Sequence, residues 1–439
     1  MSIRQNWYFI EMNNKRHLIV FTRFPMPGKT KTRLIPGIGK DAAAALQREM
    51  TEHTVQQART CGANVEIRYS GGTEEQMRDW LGDDLMYTEQ GEGDLGARMQ
   101  RAFEETFSKG WKKVVIIGSD CPSNDWKNLQ TAFQSLEDHE LVIGPASDGG
   151  YYLIGIGRAC SPSAQLHERT AGTAFPTQLF QNIDWGGEHV FEQTLNAASG
   201  LSVHQLPERS DVDLIEDIPP KISVIIPTLN EEAHLFQTLE KVRAGFNVEI
   251  VVVDGGSTDG TRAIFPVAME CKNGRAAQQN LGAAKASGAL LLFLHADTEL
   301  PDGWDWMVRQ TMADSSVAMG AFSFKVREAF PGRTFIEVTA NHRSRVWKSP
   351  YGDQGLFMRA VDFHEIGGFP NQPIMEDYAL VQVAKKRGFV VTRPEPAITS
   401  GRRWKQHGVL KVTLINKLMI AGYKLGVAPK QLAKLYRQG

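Results

Sequence analysis

KISVIIPTLNEE (Lys221–Glu232) and VEIVVVDGGSTDGT (Val248–Thr261) set the reading of the C-terminal half of this chain. Each begins as a continuous apolar run rich in β-branched residues, the pattern of a strand buried on both faces of a parallel sheet. Each then breaks into a polar loop. Between them AHLFQTLEKVRAG (Ala233–Gly245) spaces its apolar residues at helical period, so the three pieces make a strand–helix–strand unit. In open α/β sheets ligands bind outside the carboxyl ends of the strands, where Thr228, Asn230, Glu231 and Asp254 fall. Short polar side chains and free backbone N–H groups there can hold a nucleotide, and Asp254 can accept hydrogen bonds from a ribose or base. Helix capping by the first loop and a plain glycine turn in the second are the structural alternatives.

Downstream, NGRAAQQNLGAAKASGALLLFLHADTELP (Asn273–Pro301) reads as a helix, a buried strand and then His295-Ala296-Asp297. A diphosphate leaving group needs a divalent cation, and hard ions such as Mg²⁺ or Mn²⁺ prefer carboxylate oxygen; Asp297 is the expected metal residue. Arg275 can meet the phosphates or be an ordinary surface arginine. YGDQGLFMRAVDFHEIGGFPNQPIMEDYAL (Tyr351–Leu380) supplies a glycine-rich floor at Gly352 and Gly355, then Glu376-Asp377 opening a helix. Displacement at an anomeric carbon needs a base for the acceptor hydroxyl, a role open to Asp377. The alternative is an acidic pair that favours the helix dipole.

The ordered set P-T-L-N-E, V-D-G-G-S-T-D-G-T, H-A-D-T, G-D-Q-G and E-D resembles the family-2 inverting glycosyltransferases of GT-A fold over residues 221–404. More narrowly it resembles the radical-SAM/selenodomain-associated transferase 2 subgroup. The resemblance implies Asp254 on the nucleotide, Asp297 on Mg²⁺ or Mn²⁺, and Asp377, with Glu376, at the catalytic centre. It puts Gly352, Asp353, Arg403 and Trp404 on the acceptor side. Two departures stand out. The family's Asp-x-Asp is here His295-x-Asp297, and the Gln-x-x-Arg-Trp of processive synthases is matched only at Arg403-Trp404, with Ser400 in place of Gln. Single transfers rather than polymerisation are expected.

The N-terminal half follows the same plan. HLIVFTRF (His17–Phe24) is an apolar strand, and PMPGKTKTRL (Pro25–Leu34) a loop with Gly28, Lys29, Lys31 and Arg33. An Ala-rich helix runs from Asp41 to about Thr60. The loop can cradle phosphates, although it is not a Walker loop; a basic surface loop is the alternative. Asp120 ends VVIIGSDCP, Asp148 precedes two glycines, and Asp211 and Asp213 lie in SDVDLIEDI, while EGDLGARM carries Asp94 and Arg98. Asp120, Asp148 and Asp213 can converge on a cation, although each alone is more often a turn or cap signal. The series resembles the radical-SAM/selenodomain-associated transferase 1 family, related to nucleotidyltransferases, over residues 17–218. That likeness implies Lys31 and Arg33 on a triphosphate and Asp120 and Asp213 on the metal.

The expected fold is therefore α/β: two tandem GT-A-like (nucleotide-diphospho-sugar transferase) domains with mostly parallel central sheets. The expected divisions are a tail at 1–16, domains at 17–218 and 219–404, and a basic amphipathic helical region at 405–439. The expected function is sugar transfer from a nucleotide sugar, fused to a domain that makes the donor from a nucleoside triphosphate and a sugar 1-phosphate. A second glycosyltransferase or a nucleotide-binding regulatory module is the alternative for the N-terminal half, and a membrane-surface scaffold the non-enzymatic alternative for the whole.

Bulk properties agree. The 439 residues are 42% hydrophobic with net charge −1, enough for two cores and no electrostatic case for nucleic acid. The four cysteines show neither zinc nor disulfide spacing, so a reducing cytoplasm is expected. No apolar run is long enough to span a bilayer. From Ser400 to Gly439, however, there are nine Lys or Arg residues and no Asp or Glu. Two readings remain: Leu410, Leu414 and Leu418 pack on the domain with lysines outward, or this segment touches the inner face of a membrane.

Overall fold

The computed structural model describes residues 16–157 and 176–438. The expected N-terminal tail, as far as residue 15, and Cys160 lie outside them. The chain divides into two compact units, Met1–Ile218 and Pro219–Gly439.

In the first unit the strands are β1 (Arg16–Arg23), β2 (Asn64–Ser70), β3 (Met86–Glu89), β4 (Lys113–Gly118), β5 (Leu141–Pro145), β6 (Tyr151–Gly157) and β7 (Val203–Gln205), in the sheet order 3-2-1-4-6-5-7. β1 pairs in parallel with β2 and β4, and β2 with β3; β6 then runs antiparallel to both β4 and β5, and β7 parallel to β5. Alternation along a strand sends neighbours to opposite faces. Leu18, Val20, Val115 and Ile117 enter one core, while Ile19, Phe21, Val114 and Ile116 enter the other. A sheet covered on both faces explains why these strands read as unbroken apolar runs. The helix Lys40–Thr60 joins β1 to β2.

The second unit holds β8 (Ile222–Thr228), β9 (Val248–Asp254), β10 (Met269–Glu270), β11 (Leu290–Phe293), β12 (Thr298–Glu299), β13 (Val317–Val326), β14 (Leu356–Arg359) and β15 (Phe389–Thr399). Their order is 10-9-8-11-14-13-15-12. Counted from its own first strand, and leaving the two-residue β12 aside, this is again 3-2-1-4-6-5-7. The orientations repeat too: β10, β9, β8 and β11 are parallel, β14 is antiparallel to β11 and β13, and β15 runs parallel to β13. Both units are thus mostly parallel α/β sheets of GT-A-like order.

Helices Arg402–His407, Val409–Lys424 and Pro429–Gln438 end the second unit. The last two are anchored by one apolar cluster in which Met419, Leu432 and Ala433 meet Ile374, Met375 and Tyr378. The packing reading for the leucines is overturned: Leu410, Leu414 and Leu418 are 84%, 59% and 55% exposed. Inward contact comes from Val412 and Met419 on the opposite face. Among the described residues no helix is long and apolar enough to cross a membrane.

Candidate functional site

In the second unit the loops after β8 and β9 are fastened to each other. Asn230, held at φ 55°, donates its N–H to Ser257 Oγ (2.9 Å) and accepts from Thr258 N–H (2.9 Å); Glu231 N–H donates to Thr261 Oγ1 (2.8 Å). Gly260 N–H reaches Glu232 at 3.0 Å. The helix capping alternative fails, because helix Leu235–Arg243 starts after His234 without a side-chain cap. Asp254 corrects the expectation that its carboxylate faces a nucleotide. It is 1% exposed and accepts from Gly256 N–H and Ser257 N–H (both 2.9 Å), Ser257 Oγ and Thr228 Oγ1. Burial alone would raise its pKa, but these donors hold it below the usual carboxylate value. Asp254 builds the loop, leaving backbone and rim residues to meet a ligand.

A second group of candidate residues lies where the segment after β11, the Gly352–Gln354 turn and helix Glu376–Ala384 converge. Asp377 Oδ2 accepts from Gly352 N–H at 2.8 Å and Oδ1 from Tyr378 N–H at 2.6 Å, which fixes the carboxylate. Met375, just before the helix, sits at φ 67°, a conformation costly for a long side chain. Glu376, 3% exposed, accepts from Arg275 Nε at 2.6 Å; burial and Asp377 push its carboxyl up, and Arg275 opposes them. Arg275 also reaches His295 Nε2 at 3.3 Å. Burial and that guanidinium drop the His295 pKa to about 3, so the imidazole is neutral. Gly352 is required here: a Cβ would lie 2.8 Å from His295 Nε2 and 3.4 Å from Asp377 Oδ2. Asp353 is pushed up to about 6 by burial, with Asp377 and Asp297 adding to it against Arg343.

Arg402, which opens helix Arg402–His407 just beyond β15, bonds Glu231 through Nη1 at 3.0 Å and lies 3.5 Å from Asp297 Oδ2. It ties the β8 loop to the His295-Ala296-Asp297 segment. Arg403 stacks on Tyr436 at 4.0 Å, and Trp404 packs edge-on against Phe324. A cavity of about 290 Å³ is lined by Arg275, His295, Asp297, Asp353, Asp377 and Arg402 together with the C-terminal helices.

In the first unit, carboxylate oxygens of Asp120, Asp211 and Asp213 lie within 4.8 Å of one another. Lys31, at φ 47°, puts its ammonium 2.8 Å from Asp213 and 3.6 Å from Asp120; Arg33 is 2.9 Å from Asp213. Burial opposes the charge on Lys31, but the acids raise its pKa. Burial and the neighbouring Asp120 and Asp148 push Asp211 up to about 6. These residues, Lys31 apart, edge a cavity of about 1010 Å³. Asp148 lines it but is not in the triad, and its carboxylate accepts from Gly150 N–H at 2.8 Å. Gly28 has φ 80° and open space around it. Asp94 is a helix cap, accepting from Ala97 N–H at 2.8 Å.

Residues 223–351 match the family described as Glycosyl transferase family 2. The chain carries a family-2 glycosyltransferase domain. Residues 53–187 match a family described as Uncharacterized protein conserved in bacteria (DUF2064). Glycosyltransferase AglE of Haloferax volcanii is 28% identical over 177 residues, 35% of this chain and 58% of that protein; the chain thus spans little more than half of this curated relative. A Desulfovibrio desulfuricans G20 structure described as a nucleotide-diphospho-sugar transferase is 34% identical, with 47% of this chain and 85% of that one covered and a TM-score of 0.42. A Pyrobaculum calidifontis mannosyltransferase, solved with GDP-Man and Mn²⁺, is 22% identical, covering 41% of this chain and 56% of that one, with a TM-score of 0.33.

Within the glycosyltransferase domain the fold brings Arg275, Asp297, Asp353, Asp377, Arg403 and Trp404 to one cavity. Thr228 is buried under the β8 loop at 1% exposure. One carboxylate, Asp297, beside a neutral imidazole fits a hard cation whose coordination is completed by substrate phosphates. Sequence reading missed Arg402, although it adjoins Arg403, because its partner Glu231 lies 171 residues away. It also missed Tyr351 and the inner face of helix Val409–Lys424.

Proposed function

We propose that the family-2 domain transfers a sugar, with inversion, from a nucleotide sugar to an acceptor hydroxyl. Asp377 takes the hydroxyl proton; the freed oxygen bonds to the anomeric carbon while the bond to the diphosphate breaks, and the nucleoside diphosphate leaves with the electron pair. Asp297 would hold Mg²⁺ or Mn²⁺ against the donor's diphosphate, and the cation supplies charge neutralisation at the leaving group. Arg275 and Arg402 face the same charge, and Glu376 positions Arg275. The observation that carries this reading is the fixing of Asp377 by two backbone N–H groups in the cavity that also holds Asp297. Incubation with a panel of nucleotide sugars and Mn²⁺ should release nucleoside diphosphate from one of them, and Asp297→Ala should abolish release; release unchanged in that variant would refute the assignment.

For the first unit we favour nucleotidyl transfer from a nucleoside triphosphate to a sugar 1-phosphate, with Asp120, Asp211 and Asp213 as the metal acids and Arg33 and a displaced Lys31 on the triphosphate. The triad beside two cations supports it. Pyrophosphate release that is lost in Asp120→Ala is the test; nucleotide-sugar binding without it would favour a second transferase or a regulatory module. Both reactions fit a cytoplasmic protein, with peripheral contact at the membrane through the basic C-terminus.

A further inference from the structure

The lining of the 290 Å³ cavity falls into two chemical parts. Arg275, His295, Asp297, Asp377 and Arg402 form hydrogen-bonded and ionic pairs with their neighbours. A second part is mostly apolar: Ile374, Met375, Tyr378, Met419, Ile420 and Tyr436 belong to one packed cluster, with Asn416 and Arg403 the polar residues among them. Between these two kinds of lining, the Tyr351 hydroxyl and Asp353 Oδ1 are buried with no hydrogen-bond partner, although both residues border the cavity. Buried polar atoms are rarely left unpaired, so such a pair calls for a ligand with hydroxyl groups. An apolar wall calls for a hydrocarbon body beside them.

The helix that provides this wall has an apolar outer face as well. At about 100° per residue, Leu410, Leu414 and Leu418 fall on one face, with Lys411 on one flank and Lys417 and Lys424 on the other. All three leucines and all three lysines are exposed, as is Leu425 just beyond. The neighbouring helix Arg333–Val346 also exposes Phe335, Val338 and Val346. Exposed leucines bordered by lysines suit a lipid interface, where the apolar side chains enter and the ammonium groups reach headgroups. Nine cationic residues and no acidic one between Ser400 and Gly439 oppose pairing with a second copy and favour an anionic surface.

We infer that the acceptor is an amphiphile taken from an anionic membrane surface: its hydroxyl reaches Asp377, its hydrocarbon lies against Met419 and Ile420, and the outer leucines and lysines of helix Val409–Lys424 seat the domain on the lipid. This rests on the glycosyltransferase reading above, and supplies the acceptor class that reading leaves open. The reaction that makes the acceptor must then be one that leaves a hydroxyl on a lipid-soluble body.

Two measurements on the full chain test it. Co-sedimentation with phosphatidylcholine vesicles containing about 30% phosphatidylglycerol should be at least about tenfold stronger for the wild type than for L410S/L414S/L418S. Equal sedimentation of the two proteins, or none, would overturn membrane seating. Calorimetric titration with methyl, hexyl and octyl glucoside below micelle formation should show affinity rising with chain length, by about tenfold or more from hexyl to octyl, and Ile420→Trp should remove that gain. Affinity independent of chain length in the wild type, or a gain unchanged in Ile420→Trp, would overturn the cavity assignment. Nucleotide-sugar binding measured in the same samples separates the two levels: its absence with the chain-length gain intact counts against the glycosyltransferase, not against the amphiphile site.

Discussion

The two units use the same strand order, 3-2-1-4-6-5-7, and place acidic residues at the same ends of corresponding strands, yet the sites built there are chemically unlike. In the first, a lysine lies among three carboxylates beside a wide cavity. In the second, Arg402 bridges Glu231 and Asp297, Arg275 joins Glu376 to a neutral histidine just past the strand end, and C-terminal helices help wall a smaller cavity. The sheet fixes where chemistry takes place; loop side chains fix which chemistry it is. Under the nucleotidyl transfer proposed above, the Lys31 ammonium holds the place that a metal triphosphate would take. Under the sugar transfer proposed above, the arginines would meet the donor's diphosphate with planar, permanently charged groups.

The largest effect that separates the units is expected from Asp377→Asn, which should lower sugar transfer by about 10²–10⁴-fold while nucleotide-sugar binding and every property of the first unit persist. Steady-state rates and thermal shifts check both halves of that statement. Next, Arg402→Ala should raise the donor KM by about tenfold with a smaller change in kcat, since it unties two donor loops rather than touching the acceptor hydroxyl. In the first unit Lys31→Met should instead lower Tm by several degrees, because it leaves like charges uncompensated. The same variant should gain more from added Mn²⁺ than the wild type does, as followed by calorimetry. The second unit offers the smallest effect, a pH-dependent one. The folded pKa of Asp254 is depressed, so its stabilising contribution is present above the unfolded value near about 4 and is lost as pH falls through the lower, folded value. Asp254→Asn should therefore reduce Tm at neutral pH, and the gap from wild type should narrow below about pH 4.

Much of the fold could be read before any coordinates. Unbroken apolar runs at β1, β4, β8 and β9 announced strands covered on both faces, and Asp120, Asp297 and Asp377 stood where strand or helix ends deliver side chains. What escaped depended on distance along the chain. Arg402 gains meaning from Glu231, and the cavity wall from helix Val409–Lys424, whose low contrast between faces hid that it is apolar on both sides. Asp254 misled for a local reason: a carboxylate before Gly-Gly-Ser serves its own turn first, and four donors satisfy it there. Asp148 did likewise at Gly150, whereas Asp211 and Asp213, two apart in sequence, joined Asp120.

The claim on which everything else rests is that the second unit displaces a nucleoside diphosphate from the anomeric carbon in a single step. Proton and phosphorus NMR of the full chain turning over a nucleotide sugar with diamagnetic Mg²⁺ test it directly. The expected spectrum shows nucleoside diphosphate appearing with a product whose anomeric configuration is opposite to that of the donor. A product of retained configuration, or pyrophosphate in place of nucleoside diphosphate, would contradict it.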